Sequence, residues 1–315
     1  MRLLTASLLA GLALASAGAN AQSWPSRQVT LLVGTPPGGS LDLVSRVLAS
    51  HLERKYRQPV VVESRAGAGG VLAGTAVTRA PADGHTFGTG MSPVTELFVK
   101  DMPYKAADLV PAAVIGMTPY NLMVSGGMKL RTLSDFVAFA KANPGKVDFG
   151  VVASSSHETE IVDLARVLGI EINRIGYKGI APIFAGMTAG TEVHATISAF
   201  VPPQVKAGQI VMLASGGDRR PADYPDTPTF RELGYSHFPR AFYAFYARAG
   251  TPKEILERFA ADALEVVKSA EFNDRVVKPF GVTPWLQGLD EATRALNEDF
   301  ERQRGAAQRA GIRPQ

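Results

Sequence analysis

The stretch VTLLVGTPPGGSLDLVSRVL, Val29 to Leu48, decides the fold. Five residues without a charge, Val29 to Val33, read as a fully buried strand, because a strand covered on both faces shows no polar alternation. The Pro/Gly turn Thr35 to Gly39 ends it. Leu41, Val44, Leu48 and Leu52 then recur at helical spacing, with Ser40 or Asp42 placed to cap the helix. Strand, small-residue loop and helix in that order make a βα unit, and the order repeats along the chain. Val60 to Val62 leads into Gly67-Ala68-Gly69-Gly70 and an Ala/Val helix; His85 to Thr89 ends at Gly90-Met91-Ser92-Pro93.

From about Ser125 the pattern restarts. Thr132-x-x-Asp135 opens a helix that Asn143-Pro144-Gly145 stops, Val147 to Val152 is a strand, and Ser154-Ser155-Ser156 opens a helix whose Ile161, Leu164 and Leu168 face inward. Phe242 to Ala247 is a further strand, followed by a long helix from Lys253. The tail from Leu289 to about Gln308 reads as a polar helix lying on the outside of a lobe. Alternation of this kind predicts α/β lobes with largely parallel sheets. Two lobes are expected: 22–124 with 240–315, and 125–239.

The first residues carry one basic side chain, Arg2, an apolar run Leu3 to Leu14, and small residues ending in Ala19-Asn20-Ala21. That is the pattern of a secretory signal peptide over 1–21, too short to span a bilayer. Export implies a periplasmic protein of 294 residues, more than one core usually organises. With no cysteine in the chain, disulfides, thiolate metal sites and a cysteine nucleophile are excluded. The net charge of +4 falls to +3 without Arg2, and basic residues are interspersed with acidic ones, so nucleic acid is not an expected partner.

Ligands of open α/β sheets sit at the carboxyl ends of strands, where helix N-termini offer unpaired N–H groups. The residues so placed are Pro37, Gly38, Gly39, Ser40 and Leu41 after the first strand, the Gly67 to Gly70 nest after the second, Ser92 after the third, and Ser154, Ser155 and Ser156 in the second lobe. Such loops suit an anion such as a carboxylate. His157, in the first turn of the Ser-rich helix, can add a hydrogen-bond donor, though a histidine there is as readily a surface residue. Nucleotide motifs fail: Leu72 stands where G-x-G-x-x-G needs its last glycine, and no G-K-[ST] occurs. No histidine pair has metal-ligand spacing and no G-x-S-x-G elbow exists, so neither a metal, a cofactor nor a serine hydrolase is expected.

Several segments carry a family likeness: PPGGSLD (Pro36 to Asp42), QPVVVESRAGAGG (Gln58 to Gly70), APADGHT (Ala80 to Thr86), KANPGKVDFG (Lys141 to Gly150), YPDTPTFRELG (Tyr224 to Gly234) and ARAGTP (Ala247 to Pro252). In this order they resemble the Bug-type receptors, extracytoplasmic solute-binding proteins of tripartite tricarboxylate transporters. The resemblance spans 22–315 and implies a type II periplasmic-binding-protein fold, two lobes joined by crossing strands, and a monomer that captures a small carboxylate for membrane transporter subunits. It also implies a cleft lined by Pro37 to Leu41, Ala68, Gly69 and Gly70, Ser92, and Ser154 to Ser156. Two departures stand out. The family's Ser-Pro-His is replaced by Ser156-His157-Glu158-Thr159. Near the strand Val193 to Ser198, where amino-acid-binding members carry an acid, only Thr196 and Ser198 are found, which points away from an amine-bearing ligand. The rival readings are a solute sensor feeding a membrane signalling protein, and an exported hydrolase or isomerase using His157 with a loop serine.

Overall fold

The computed structural model describes residues 24–314 except 39, 154, 178, 191–192, 236–239 and 279–280. The leader 1–21, Gly39 and Ser154 therefore lie outside the described residues. In the first lobe, β1 (Val29–Val33), β2 (Val60–Ser64) and β3 (Thr86–Thr89) are joined through α1 (Ser40–Tyr56) and α2 (Val71–Arg79). β1 lies between the other two, parallel to both. Helical crossovers enforce that direction.

The chain then runs through β4 (Leu109–Pro119) directly into β5 (Asn121–Ser125), with Tyr120 alone between them. β4 is hydrogen-bonded in the first sheet and β5 in the second, so the crossing lies at Tyr120, ahead of the expected boundary at 124/125. The second lobe adds α3 (Leu133–Ala142), β6 (Asp148–Val152), α4 (Ser156–Leu168), β7 (Asn173–Tyr177), α5 (Ile180–Ala189), β8 (Ala195–Ser198) and β9 (Ile210–Ser215). Thr132 caps α3 by accepting the Asp135 amide at 3.1 Å, and Gly169 ends α4 in the left-handed region at φ 64°, where a residue without Cβ carries no steric penalty.

β10 (Arg240–Arg248) returns to the first sheet, followed by α6 (Lys253–Val267), β11 (Thr283–Pro284) and α7 (Leu289–Arg309). The sheets order as β11-β4-β10-β3-β1-β2 and β7-β6-β8-β5-β9. Both are mixed. Their βα units are parallel, whereas β10 runs antiparallel to β4 from Arg240↔Pro119 to Arg248↔Leu109, because one strand leaves the lobe and the other comes back. β5 is antiparallel to both its neighbours for the same reason.

One face of the first sheet is covered by α1 and α6, with Phe87 stacked on Phe259 at 3.9 Å between ring centres. The other face is covered by α2 and by Ala292 and Leu296 of α7. Ile161, Leu164 and Leu168 of α4 are buried in the second lobe. The tail helix departs from expectation. α7 does cover a face of the first sheet with its other side exposed, but it is not kept out of the cleft: from Leu296 it lines the space between the lobes and reaches across to α4.

Candidate functional site

Three glycines set the shape of the first lobe's cleft edge. A Cβ on Gly34 or on Gly70 would lie 2.3 Å from the Gly90 carbonyl oxygen. The loops after β1, β2 and β3 therefore touch backbone to backbone, which any side chain would prevent. Gly70 and Gly90 also hold φ at 95° and 69°, a region open to glycine at little cost. Around this contact, Gly38 (φ 87°) and Gly69 (φ 62°) face open space, with nothing within 4 Å of a built Cβ.

The first loop is held by its own helix. The Asp42 carboxylate accepts the Gly38 amide at 3.0 Å and the Arg46 Nε at 3.0 Å, and these partners, Arg46 first, keep its pKa below the usual carboxylate value. Ser40 accepts a hydrogen bond from the Tyr243 hydroxyl at 2.9 Å. Ser92 accepts the Val94 amide at 3.2 Å and hydrogen-bonds the buried Tyr246, whose pKa burial raises.

On the second lobe, Ser155 donates to the Val152 carbonyl at 2.6 Å. His157 is committed on both sides. Its Nδ1 accepts the Val152 amide at 3.0 Å, which fixes the proton on Nε2, 2.8 Å from the Ile197 carbonyl. Burial lowers its pKa, opposed by the Ile197 bond. The ring thus ties the end of β6, the start of α4 and β8 together and has no nitrogen left for a guest or for a serine nucleophile. Ser198 accepts the Phe200 amide at 3.0 Å.

A cavity of about 770 Å³ opens between these edges. Leu41, Ala68, Gly69, Ser92, Ser155 and Ser156 line it; Pro37, Gly38, Ser40, Gly70, His157 and Ser198 do not. The remaining walls escaped the sequence reading. Tyr120 and Phe242 come from the two crossing strands, Tyr246 from deeper in β10, and Glu160, Asp299 and Gln303 from the α4–α7 junction. The aromatic-rich strand Arg240 to Arg248 was the available signal for Phe242 and Tyr246, since Phe242, Ala244 and Tyr246 share one face.

At that junction Arg302 of α7 grips both Glu160 oxygens, at 2.5 and 3.1 Å, and also bonds Asp299 and Asp163. Burial pushes the Glu160 carboxyl up to about 8 against the pull of Arg302. Burial also opposes the charge on Arg302, but Glu160 and Asp299 hold it protonated. Thr159 adds a 2.9 Å bond to Gln303. Among the described residues no group of three or more His, Asp or Glu could hold a metal ion.

A family description for receptors of the tripartite tricarboxylate transporter family matches residues 44–312. The chain belongs to that family. Protein BugT of Bordetella pertussis is 32% identical over 319 residues, covering 96% of each chain. A solved R. palustris protein with adipate superposes at a TM-score of 0.74 with 29% identity, over 93% of this chain and all of that one. A TctC solute-binding protein from Polaromonas gives 0.74 at 20% identity, over 91% of this chain and all of that one, a likeness of fold. The receptor is thus a solute-binding protein of two α/β lobes, and its function is binding rather than catalysis. The family is extracytoplasmic, and no described helix is long and apolar enough to cross a membrane.

Proposed function

We propose that this receptor captures a small organic carboxylate between its lobes in the periplasm and delivers it to membrane subunits of a tripartite tricarboxylate-type transporter. It is exported by its leader 1–21, cleaved after Ala21, and works as a monomer. One observation carries the reading: Gly69 and Ser92 from one lobe and Ser155 and Ser156 from the other border a single cavity. Glycine amides and hydroxyls suit a carboxylate, because they donate hydrogen bonds without adding charge. The adipate bound by the R. palustris relative supports the same ligand class.

Capture follows from differential contact. An acid seated on the first lobe's loops meets Ser155 and Ser156 fully only when the lobes approach, so the ligand favours the closed form by the free energy of those added contacts. The crossing strands at Tyr120 and Arg240 are where such a movement turns.

The test is mass spectrometry of solute carried through purification, followed by thermal-shift titration with mono-, di- and tricarboxylates. A site ligand raises the melting temperature with its concentration, by about 2.7 kcal/mol of added stability at a hundred times Kd. If no carboxylate produced a saturable shift, the proposal would fail.

A further inference from the structure

We infer that the acid this receptor takes is a carboxylate with an extended apolar body, alkyl or aromatic, and that a compact tricarboxylate is a poor ligand. The inference rests on the carboxylate reading above and specifies what the site adds to it. Beyond its polar rim the cavity continues as an apolar wing. Val94 and Phe98 from the turn after Ser92, Leu109 of β4, Phe242 of β10, and Leu296 and Phe300 of α7 supply its apolar lining.

Leu109 and Phe242 are on strands of the first sheet, Leu296 packs against that sheet, and α7 packs on the 93–97 turn before its Arg302 and Gln303 bond to α4. A cavity of about 770 Å³ is far larger than a four-carbon acid needs and lies in the upper range for ligands of drug-like size. Apolar walls of this extent gain most from an apolar guest that displaces their water.

Charge points the same way. The acidic and basic side chains lining the cavity, among the described residues, are Glu160, Asp299 and Arg240, and burial keeps the Glu160 carboxyl largely protonated near neutrality. Arg302 is consumed by Glu160, Asp299 and Asp163, and the Arg240 guanidinium lies over the Phe242 ring, 5.3 Å from its centre. With Arg302 already held by acids, Arg240 is the lining cation that faces a ligand, and it can accompany a single carboxylate group. The further carboxylates of a tricarboxylate would be buried without a cation of their own, which costs free energy.

The experiment is calorimetric titration of the purified full chain with butanoate, hexanoate, octanoate and 3-phenylpropanoate, set against malate, citrate and octan-1-ol. Kd is expected to fall about fourfold per added methylene through octanoate, and citrate and malate to bind at least a hundredfold more weakly than octanoate. A flat series, or citrate or malate matching octanoate, overturns the inference and leaves the carboxylate receptor standing. Octan-1-ol binding as tightly as octanoate, or no acid binding at all, overturns the carboxylate reading itself. Phe300 is half-buried, so Phe300→Ala should fold. It is expected to weaken octanoate about tenfold and butanoate less than twofold; equal losses for both acids would show that the tail does not lie in this wing.

Discussion

The two lobes bring the same strand–loop–helix unit to the cleft and finish it by opposite means. In the first lobe the loops are shaped by what is missing: Gly34, Gly70 and Gly90 pack backbone on backbone, and Gly69 stays open to the cavity. In the second lobe the loop is shaped by side chains, with Ser155 and His157 both bonded to Val152 and His157 bonded also to Ile197. Substitutions that add atoms should therefore damage the first edge, and substitutions that remove them the second.

The largest effect is expected from Gly70→Val. Its Cβ would meet the Gly90 oxygen at 2.3 Å, in a backbone held at φ 95°. Left-handed backbone costs a branched residue about 1–2 kcal/mol, and the overpacking adds about 1–3 more. Chemical denaturation should show a loss of about 4 kcal/mol; a loss under 1 would mean the loops can separate freely.

His157→Ala breaks the second edge by the opposite route. It leaves the Val152 amide and the Ile197 carbonyl without partners, and each orphaned buried group costs about 1–3 kcal/mol, for a loss of about 3. The histidine also carries a pH signature. Burial puts its folded pKa below the ordinary 6.5, so the unfolded chain binds the proton more readily. Its contribution is present in full above about 6.5 and is lost as pH falls towards the folded value. The wild type should lose stability on acidification below 6.5, and His157→Ala should lose less over the same range. Equal slopes would remove His157 as the titrating group.

The contrast between edges explains what the sequence disclosed. The βα units were legible because Val29 to Val33 and the Pro/Gly turn after it are contiguous, and local chemistry decides both. Gly69, Ser92 and Ser156 were legible for the same reason. Phe242, Tyr246 and Phe300 were not, since an aromatic in a strand or an amphipathic helix reads as core until the tertiary structure leaves space beside it. α7 misled for a related reason: Arg302 and Gln303 look solvated in sequence, yet Arg302 is bonded to Glu160 and Asp163 and Gln303 to Thr159, all on α4 far earlier in the chain. His157 was visible as a helix-start residue, but its bond to Ile197 depends on β8 arriving beside β6.

Gly69→Ala sharpens the comparison at smaller cost. The position faces open space, so the penalty is that of a left-handed alanine alone, about 1 kcal/mol. Because the added methyl sits at the cavity edge, ligand-induced thermal shift should drop by more than the stability loss. A variant that binds its acid normally would move the ligand away from the second loop.

Ser156→Ala is the smallest and most discriminating change. The Ser156 carbonyl accepts the Thr159 hydroxyl at 2.9 Å, a bond that the substitution leaves in place. The side chain lines the cavity at the start of α4 and is only half-buried, so stability should change by less than about 0.5 kcal/mol. Binding should nonetheless weaken by about three- to tenfold, the worth of one hydrogen bond of about 1 kcal/mol. Since Ser156 belongs to the lobe that must approach the ligand, the loss should appear mainly as faster release, read by stopped-flow displacement. Slower capture with unchanged release would mean that the acid meets the second lobe first, reversing the order of contacts proposed for closure.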